Sequence, residues 1–301
     1  MELDPLYHVK QLFYQASYKA AIEEALLQPH TPSDDPSSLH RALYIARSHL
    51  SSNPPDIQSA KSILSPFLSS SEPSIAARTI DAFASHLAGE DKVDEIRDFV
   101  LEVEGSEDEV EESTVRVISS TVFILLGEVE EAVATLNEGR GKEDLECLAL
   151  LVQLLLSLDR RDLAQSTYNT AKKIGNDSTL VQAIEAWIGL KTGARPLHQS
   201  YYFYEELYQL PSGRTPPVLA SHAAAHLLLG HVDEAKADIL EASQKENGDK
   251  QGDVLAVGTS LGIDGYAEKL ATNAPQHPFA VDLAEKSKLF DEAASKFAIT
   301  A

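Results

Sequence analysis

Apolar residues along this chain return every three or four positions, and the period-two alternation of surface strands is scarce. The spacing is clearest over residues 115–125, 145–158 and 218–229, and it is typical of amphipathic helices. Clusters of Pro, Ser and Gly separate these stretches and have the chemistry of turns. The pattern therefore predicts an all-α fold.

A short turn of small residues recurs between the helical stretches. In its clearest copies, Leu126–Ala132 and Leu229–Ala235, a glycine ends one apolar run and an alanine lies early in the next. This arrangement is typical of two antiparallel helices joined by a tight turn. The repeats predict roughly nine helical hairpins. The second-helix anchor of each predicted hairpin falls at Ala21, Ala60, Ile96, Ala132, Ala164, Ser200, Ala235, Ala267 and Ala293.

Several anchors are followed by a bulky residue at the fourth position and a small one at the seventh, as in Ala164, Tyr168 and Ala171. Steps of four and three return to one helix face, so the small residues permit a close helix crossing. The pattern resembles the tetratricopeptide repeat, although the leading Trp of that motif is absent. The resemblance implies a tetratricopeptide-like solenoid, which we expect to form one domain over residues 1–301 with an atypical carboxy-terminal cap from about residue 280.

The chain is strongly acidic. Its 301 residues include 47 Asp and Glu against 25 Lys and Arg, a formal net charge of -22. Such a charge repels phosphate backbones and anionic lipid surfaces, so no nucleic-acid binding is predicted. The most apolar stretch, 147–158, is too short to cross a membrane, and we expect no direct membrane insertion.

The single cysteine, Cys147, lies in a leucine-rich helical stretch. One cysteine cannot form an intrachain disulfide, which favours a reducing, cytoplasmic location and a packed thiol. It has no His or Asn companion at a recognised spacing, so a nucleophilic role is not predicted.

The acidic stretch 102–112 is the strongest local charge bias. Carboxylates favour the amino terminus of a helix, so a solvated loop that opens the next helix is one interpretation. A surface for a basic partner is the other.

Two histidines, His222 and His226, are spaced to share one helix face, as two zinc ligands would be. The zinc-protease helix needs a Glu directly after the first His, and Ala223 occupies that position. We interpret both histidines as partly buried residues of a repeat core and predict no metal site.

The segment Gly139–Glu143 has the glycines and lysine of a phosphate loop without its spacing, its Ser or Thr, or a preceding strand. It is interpreted as a connection between helices. No Ser-based elbow is present either, so the sequence predicts no catalytic residues, no cofactor and no enzymatic activity.

The densest aromatic cluster is Tyr201–Tyr204 with Tyr208. On a helix, Tyr201, Tyr204 and Tyr208 share a face, which predicts core packing. Tyr202 points elsewhere and is a candidate partner contact, since aromatic residues are enriched at interfaces.

The resemblance to tetratricopeptide repeats also implies a ligand groove, because the first helix of each hairpin lines the concave face in that architecture. The groove is predicted to be apolar and uncharged, which does not suit a clamp for carboxylate tails built from Lys, Arg and Asn. An amphipathic helix or an obligate partner subunit suits it better. The predicted groove positions are Val117, Thr121, Ile124, Ala149, Gln153, Leu156, Ala220, Ala224 and Leu227.

Several segments outside the repeat pattern resemble the coatomer epsilon subunit family, in matching order along nearly the whole chain. They are Leu12–Tyr14, Ser17–Tyr18, Cys147–Ala164, Asp177–Trp187, Tyr201–Tyr202 and His277–Phe279.

This family resemblance implies a scaffold subunit of the COPI coat, peripheral on Golgi membranes and COPI vesicles, for retrograde Golgi-to-ER and intra-Golgi transport. It implies stable binding to the carboxy-terminal region of the coatomer alpha subunit, with other coatomer subunits contacted indirectly. The alternative is a generic cytosolic tetratricopeptide adaptor that binds a helix of another protein.

Overall fold

The computed structural model describes residues 4–33, 35–70 and 72–297. Across these ranges all regular secondary structure is helical, with 17 α-helices and two short 3-10 turns, which confirms the all-α prediction. Contacts within the chain group into two compact units, Met1–Phe203 and Tyr204–Ala301. We call them the amino-terminal unit and the carboxy-terminal unit.

The helices are α1 Tyr7–Tyr14, α2 Tyr18–Leu26, α3 Pro36–Leu50, α4 Ile57–Leu68, α5 Ile75–Leu87, α6 Val93–Glu102, α7 Glu109–Leu126, α8 Val129–Leu136, α9 Leu145–Ser157, α10 Arg161–Gly175, α11 Thr179–Thr192, α12 Ala194–Gln209, α13 Pro216–Leu229, α14 Val232–Gln244, α15 Gly252–Ser260, α16 Tyr266–Asn273 and α17 Pro278–Ser295.

Seven pairs of consecutive helices pack as hairpins, from α1 against α2 to α15 against α16. In the remaining pair, α11 and α12, the Ser200 hydroxyl donates to the Ala186 carbonyl at 2.8 Å. In the described part of the chain this gives eight hairpins and one final helix, α17, in place of a complete ninth pair. The ninth predicted anchor, Ala293, lies exposed on α17. The solenoid of helical hairpins agrees with the prediction, and its last repeat is represented by a single helix.

The recurring turn has one backbone geometry. Gly127 and Gly230 end their helices in the left-handed conformation, with φ of 79° and 86°. In each turn the N–H of the following residue donates to the carbonyl five residues earlier, which satisfies a carbonyl that the helix end leaves free. The same bond forms at Ala16 and Asp159, whose φ values are 54° and 58°. The weaker sequence copies are therefore the same turn without its glycine.

Seven of the nine predicted anchors are fully buried where the second helix of a hairpin crosses its neighbours. All of these except Ile96 have small side chains, which permit a close approach of the helices. The eighth anchor, Ala267, was placed wrongly, because it is exposed while Tyr266 and Leu270 are buried. The Tyr266 ring lies against Gly258, where an added Cβ would come within 2.1 Å of the ring. An aromatic ring on a glycine replaces the alanine contact in this hairpin.

The acidic stretch 102–112 supplies bonds within the amino-terminal unit. Asp108 caps α7 by accepting the Val110 N–H at 2.9 Å, and Glu111 accepts the Ser74 hydroxyl at 2.7 Å at the start of α5. The stretch does open the next helix, and several of its carboxylates also join neighbouring hairpins. Glu104 and Glu107 are among its exposed carboxylates.

Candidate functional site

The predicted groove positions lie on α7, α9 and α13, each the first helix of its hairpin. Four of them are buried in the chain's own cores, with at most 9% of each residue exposed. A partner therefore cannot reach these side chains without displacing core contacts. The four are Val117, Ala149, Leu156 and Ala220.

The other candidate positions are accessible to a partner in part or in full. Gln153 and Tyr202 are exposed, and Tyr204 beside Tyr202 is buried, as expected for two faces of one helix. The half-buried positions are Thr121, Ile124, Ala224 and Leu227. Partner binding through any of these residues stays a prediction.

Two exposed leucines extend the predicted positions on the same helices. Leu125 follows Ile124 on α7, and Leu228 follows Leu227 on α13; each lies two residues before the glycine of its turn. They are 62% and 55% exposed, although the transfer of a leucine side chain out of water is favourable. The helical period of the sequence did not distinguish these two leucines from buried ones. Their position near the turn glycine was the sequence feature that could have identified them.

A second apolar surface lies on α17, which buries none of its residues. Leu289 and Phe290 on this helix and Phe297 after it are 63%, 72% and 83% exposed. Exposed apolar residues of this size on one helix are typical of a contact surface.

Both histidines of α13 are buried, more fully than the predicted partial burial, at 3% exposed for His222 and 8% for His226. The neighbouring helix α14 places Asp238 beside them, with its Oδ2 3.0 Å from His222 Nδ1. On the other side of the ring, His222 Nε2 lies 3.0 Å from Glu205 Oε2. Burial, followed by the nearby His222, lowers the pKa of His226. The sequence could not predict Asp238 in this cluster, since only hairpin packing places it there.

A buried carboxylate, Glu146, connects distant hairpins of the amino-terminal unit. Its Oε1 accepts the hydroxyls of Tyr14 at 2.6 Å and Tyr44 at 2.5 Å, and Arg47 donates to its Oε2. Burial raises the pKa of a carboxyl, and here Arg47 and the hydroxyls outweigh it, so the pKa of Glu146 is lowered. Helices α1 and α3 are thus held against α9.

Cys147 is fully buried next to this cluster. Burial, reinforced by Asp144, raises the pKa of its thiol well above the usual value. A protonated, inaccessible thiol is a poor nucleophile.

The Gly139–Lys142 segment is a 3-10 turn that covers an ion pair. Arg116 Nε donates to Glu112 Oε1 at 2.8 Å, and both side chains are almost fully buried. A Cβ on Gly139 would come within 2.2 Å of that carboxylate oxygen. The glycines of this segment thus permit close packing over Arg116.

Among the described residues, every helix is too short or too polar to cross a membrane.

Comparison with known proteins identifies the family. The model of the coatomer epsilon subunit family matches residues 2–298. The chain is 24% identical to coatomer subunit epsilon-1 of Arabidopsis thaliana over 98% of each chain, and 26% identical to coatomer subunit epsilon of Caenorhabditis elegans over 97% of this chain and 98% of that one. It is 28% identical to the Dictyostelium discoideum subunit over 60% of this chain and 62% of that one.

A crystal structure of a tetratricopeptide repeat protein from Parabacteroides merdae covers 90% of this chain and 96% of its own, at 15% identity and a TM-score of 0.49. The assignment to a family comes from the family model, which matches nearly every residue of the chain. The chain therefore belongs to the coatomer epsilon subunit family.

Proposed function

We propose that this chain is a structural, non-enzymatic subunit of the COPI coat that binds the carboxy-terminal region of the coatomer alpha subunit. In this role it acts in retrograde Golgi-to-ER and intra-Golgi vesicle transport. The observation that carries the proposal is the family match over residues 2–298. The coat places the chain on the cytosolic side of Golgi membranes and vesicles.

The charge of the chain supports attachment through other coat subunits. A net charge of -22 opposes direct binding to an anionic bilayer. Recruitment by protein contacts does not meet this repulsion.

The alpha subunit is proposed to contact the accessible positions on the first helices of the hairpins. Leu125 lies beside Thr121 and Ile124 on α7, and Leu228 lies beside Leu227 on α13. Permanent interfaces commonly bury about 2,000 Å² or more, so we expect the contact to include other surfaces besides these leucines. A charge at an exposed leucine leaves the core intact, and it opposes the burial of that position by a partner.

Co-expression with the alpha carboxy-terminal region tests the proposal. We expect a one-to-one complex by size-exclusion chromatography with light scattering. Leu125→Glu and Leu228→Glu should each reduce the yield of this complex. Leu240→Glu on α14 is the matched control, because Leu240 is 52% exposed and lies on a second helix.

The possible outcomes distinguish a wrong partner from a wrong contact surface. Failure of the unmodified chain to co-elute with the alpha region would refute the proposed partner. Formation of the complex by all three variants alike would retain the partner and exclude the first-helix leucines as its contact.

A further inference from the structure

The buried cluster of His222, His226 and Asp238 has the composition of a transition-metal site. One potential ligand atom from each residue lies within 4.8 Å of the other two. All three residues belong to one hairpin, with the histidines on α13 and the aspartate on α14. Asp238 is 7% exposed, so the cluster is buried but close to the surface.

The arrangement around His222 favours a cation beside its Nδ1. Glu205 accepts from Nε2 on one side at 3.0 Å, and Asp238 Oδ2 lies 3.0 Å from Nδ1 on the other. If the ring gives its one proton to Glu205, a lone pair of Nδ1 faces a carboxylate, which is repulsive. Either a second proton or a metal ion between Nδ1 and Asp238 relieves this repulsion.

The contact with Glu205 is also the one that metal-bound histidines usually make. Such a histidine donates its second ring N–H to a carboxylate or carbonyl, which fixes the ring and makes the ligand nitrogen more basic. Glu205 on α12 holds this position for His222.

The separation of His222 Nδ1 and Asp238 Oδ2 fits two neighbouring ligands of a tetrahedral ion. Bonds of about 2.0–2.1 Å to nitrogen and oxygen place neighbouring ligand atoms about 3.3 Å apart. The 3.0 Å between His222 Nδ1 and Asp238 Oδ2 differs from this by a few tenths of an ångström. Apart from its 3.0 Å approach to His222 Nδ1, the buried Asp238 Oδ2 accepts no hydrogen bond among the described residues, so it retains lone pairs for a metal.

We propose that His222, His226 and Asp238 bind one zinc ion in the carboxy-terminal unit. Imidazole nitrogens with one carboxylate favour zinc over magnesium and calcium, which prefer oxygen ligands. The ion would join α13 to α14, with a water molecule as fourth ligand. Glu205 is a positioning residue for His222.

Calorimetric titration of the full chain with zinc, after removal of metal by a chelator, tests the proposal. We expect one zinc ion per chain and a higher Tm when zinc is saturating. Asp238→Asn should abolish this binding while it preserves side-chain shape. Glu205→Gln should weaken it about 10–100-fold, the range for second-layer partners of metal ligands. His198→Ala, at an exposed position on α12, is the control and should bind zinc as the unmodified chain does.

Cobalt provides a second measurement that does not depend on the folding of any variant. Cobalt bound to the unmodified chain should show the visible absorption of a tetrahedral ion, without the near-ultraviolet band of a thiolate ligand. A thiolate band would place the ion at Cys147 and overturn the proposal. It is overturned equally if zinc fails to bind stoichiometrically, or if Asp238→Asn and His198→Ala bind it with the same affinity.

Discussion

Replacing Glu146 by Gln should destabilise the amino-terminal unit strongly, although it changes only one atom of the side chain. Glu146 accepts from two tyrosines and pairs with Arg47, whose side chain is 7% exposed. Glutamine keeps the shape and one acceptor oxygen. It removes the negative charge and leaves Arg47 buried without its counter-ion.

These contacts set the size of the expected loss of stability. Breaking a buried ion pair by removing one partner costs about 3–5 kcal/mol. Both tyrosine hydroxyls bond to the same oxygen, Oε1, and the oxygen that glutamine retains can still accept them. The lost ion pair therefore carries the cost, and we expect the free energy of unfolding to fall by about 3–5 kcal/mol.

The loss should also depend on pH. Because the pKa of Glu146 is lowered in the folded chain, its charge stabilises the fold above the usual carboxyl pKa. This stabilisation is lost as the pH falls through the folded-state pKa. The difference between the unmodified chain and Glu146→Gln should therefore be full at neutral pH and shrink in acid.

Urea unfolding monitored by tryptophan fluorescence measures the stability of the amino-terminal unit, which contains Glu146. The only tryptophan, Trp187, lies on α11 and packs against the core that contains α9. Glu102→Gln is the matched control, because the ion pair of Glu102 with Arg78 is exposed at 46% and 36%. Exposed pairs contribute about 0–1 kcal/mol, so this variant should unfold almost as the unmodified chain does.

A loss below about 1 kcal/mol for Glu146→Gln, well under the 3–5 kcal/mol of a broken buried pair, would show that the ion pair with Arg47 contributes little to stability. A double-mutant cycle with Arg47→Met gives a second criterion. Since the buried charge of Arg47 causes most of the predicted cost, Glu146→Gln should cost much less once Arg47 is replaced. Additive losses would show that the pair does not carry the effect.

Three further predictions concern the hairpins and the thiol. Ala132→Leu should overpack a fully buried helix crossing and lower the free energy of unfolding in urea by about 1–3 kcal/mol. Ala267→Leu at the exposed anchor should change it by under about 0.5 kcal/mol. Equal effects of the two substitutions would contradict the burial argument. Ala16→Gly should raise the Tm, because φ is 54° and relief of left-handed strain outweighs the added chain entropy by about 0.5–1 kcal/mol; a lower Tm would argue against strain at this turn. Cys147 should react with a thiol reagent slowly in the folded chain and completely in urea, since burial raises the pKa of its thiol, and fast labelling of the folded chain would exclude the buried, protonated state.

Much of the fold is encoded locally and could be predicted. The Gly127 and Gly230 turns combine an apolar run, a left-handed glycine and a small residue in the next helix, all within one hairpin. The prediction was wrong at Ala267, where the Tyr266 ring packs on Gly258. A local pattern cannot show which of two adjacent residues a neighbouring helix will cover.

The exposure of the candidate site residues depended more on packing between helices than on the local sequence pattern. The period of α7 and α13 placed Ile124 and Leu227 correctly on first helices, but it could not show that Val117 and Ala220 would be buried by neighbouring helices. A helical period gives the direction of a side chain, and burial depends on what lies opposite.

The all-α hairpin repeat and the coatomer epsilon resemblance could be recognised in the sequence, because both depend on residues close together in the chain. Which distant polar groups meet depends on tertiary packing. It placed Glu146 against Tyr14, 132 residues earlier, and Asp238 of α14 beside the histidines of α13. The physical reason is that contacts between helices depend on their crossing and rotation in the packed unit, which single-helix periodicity does not specify.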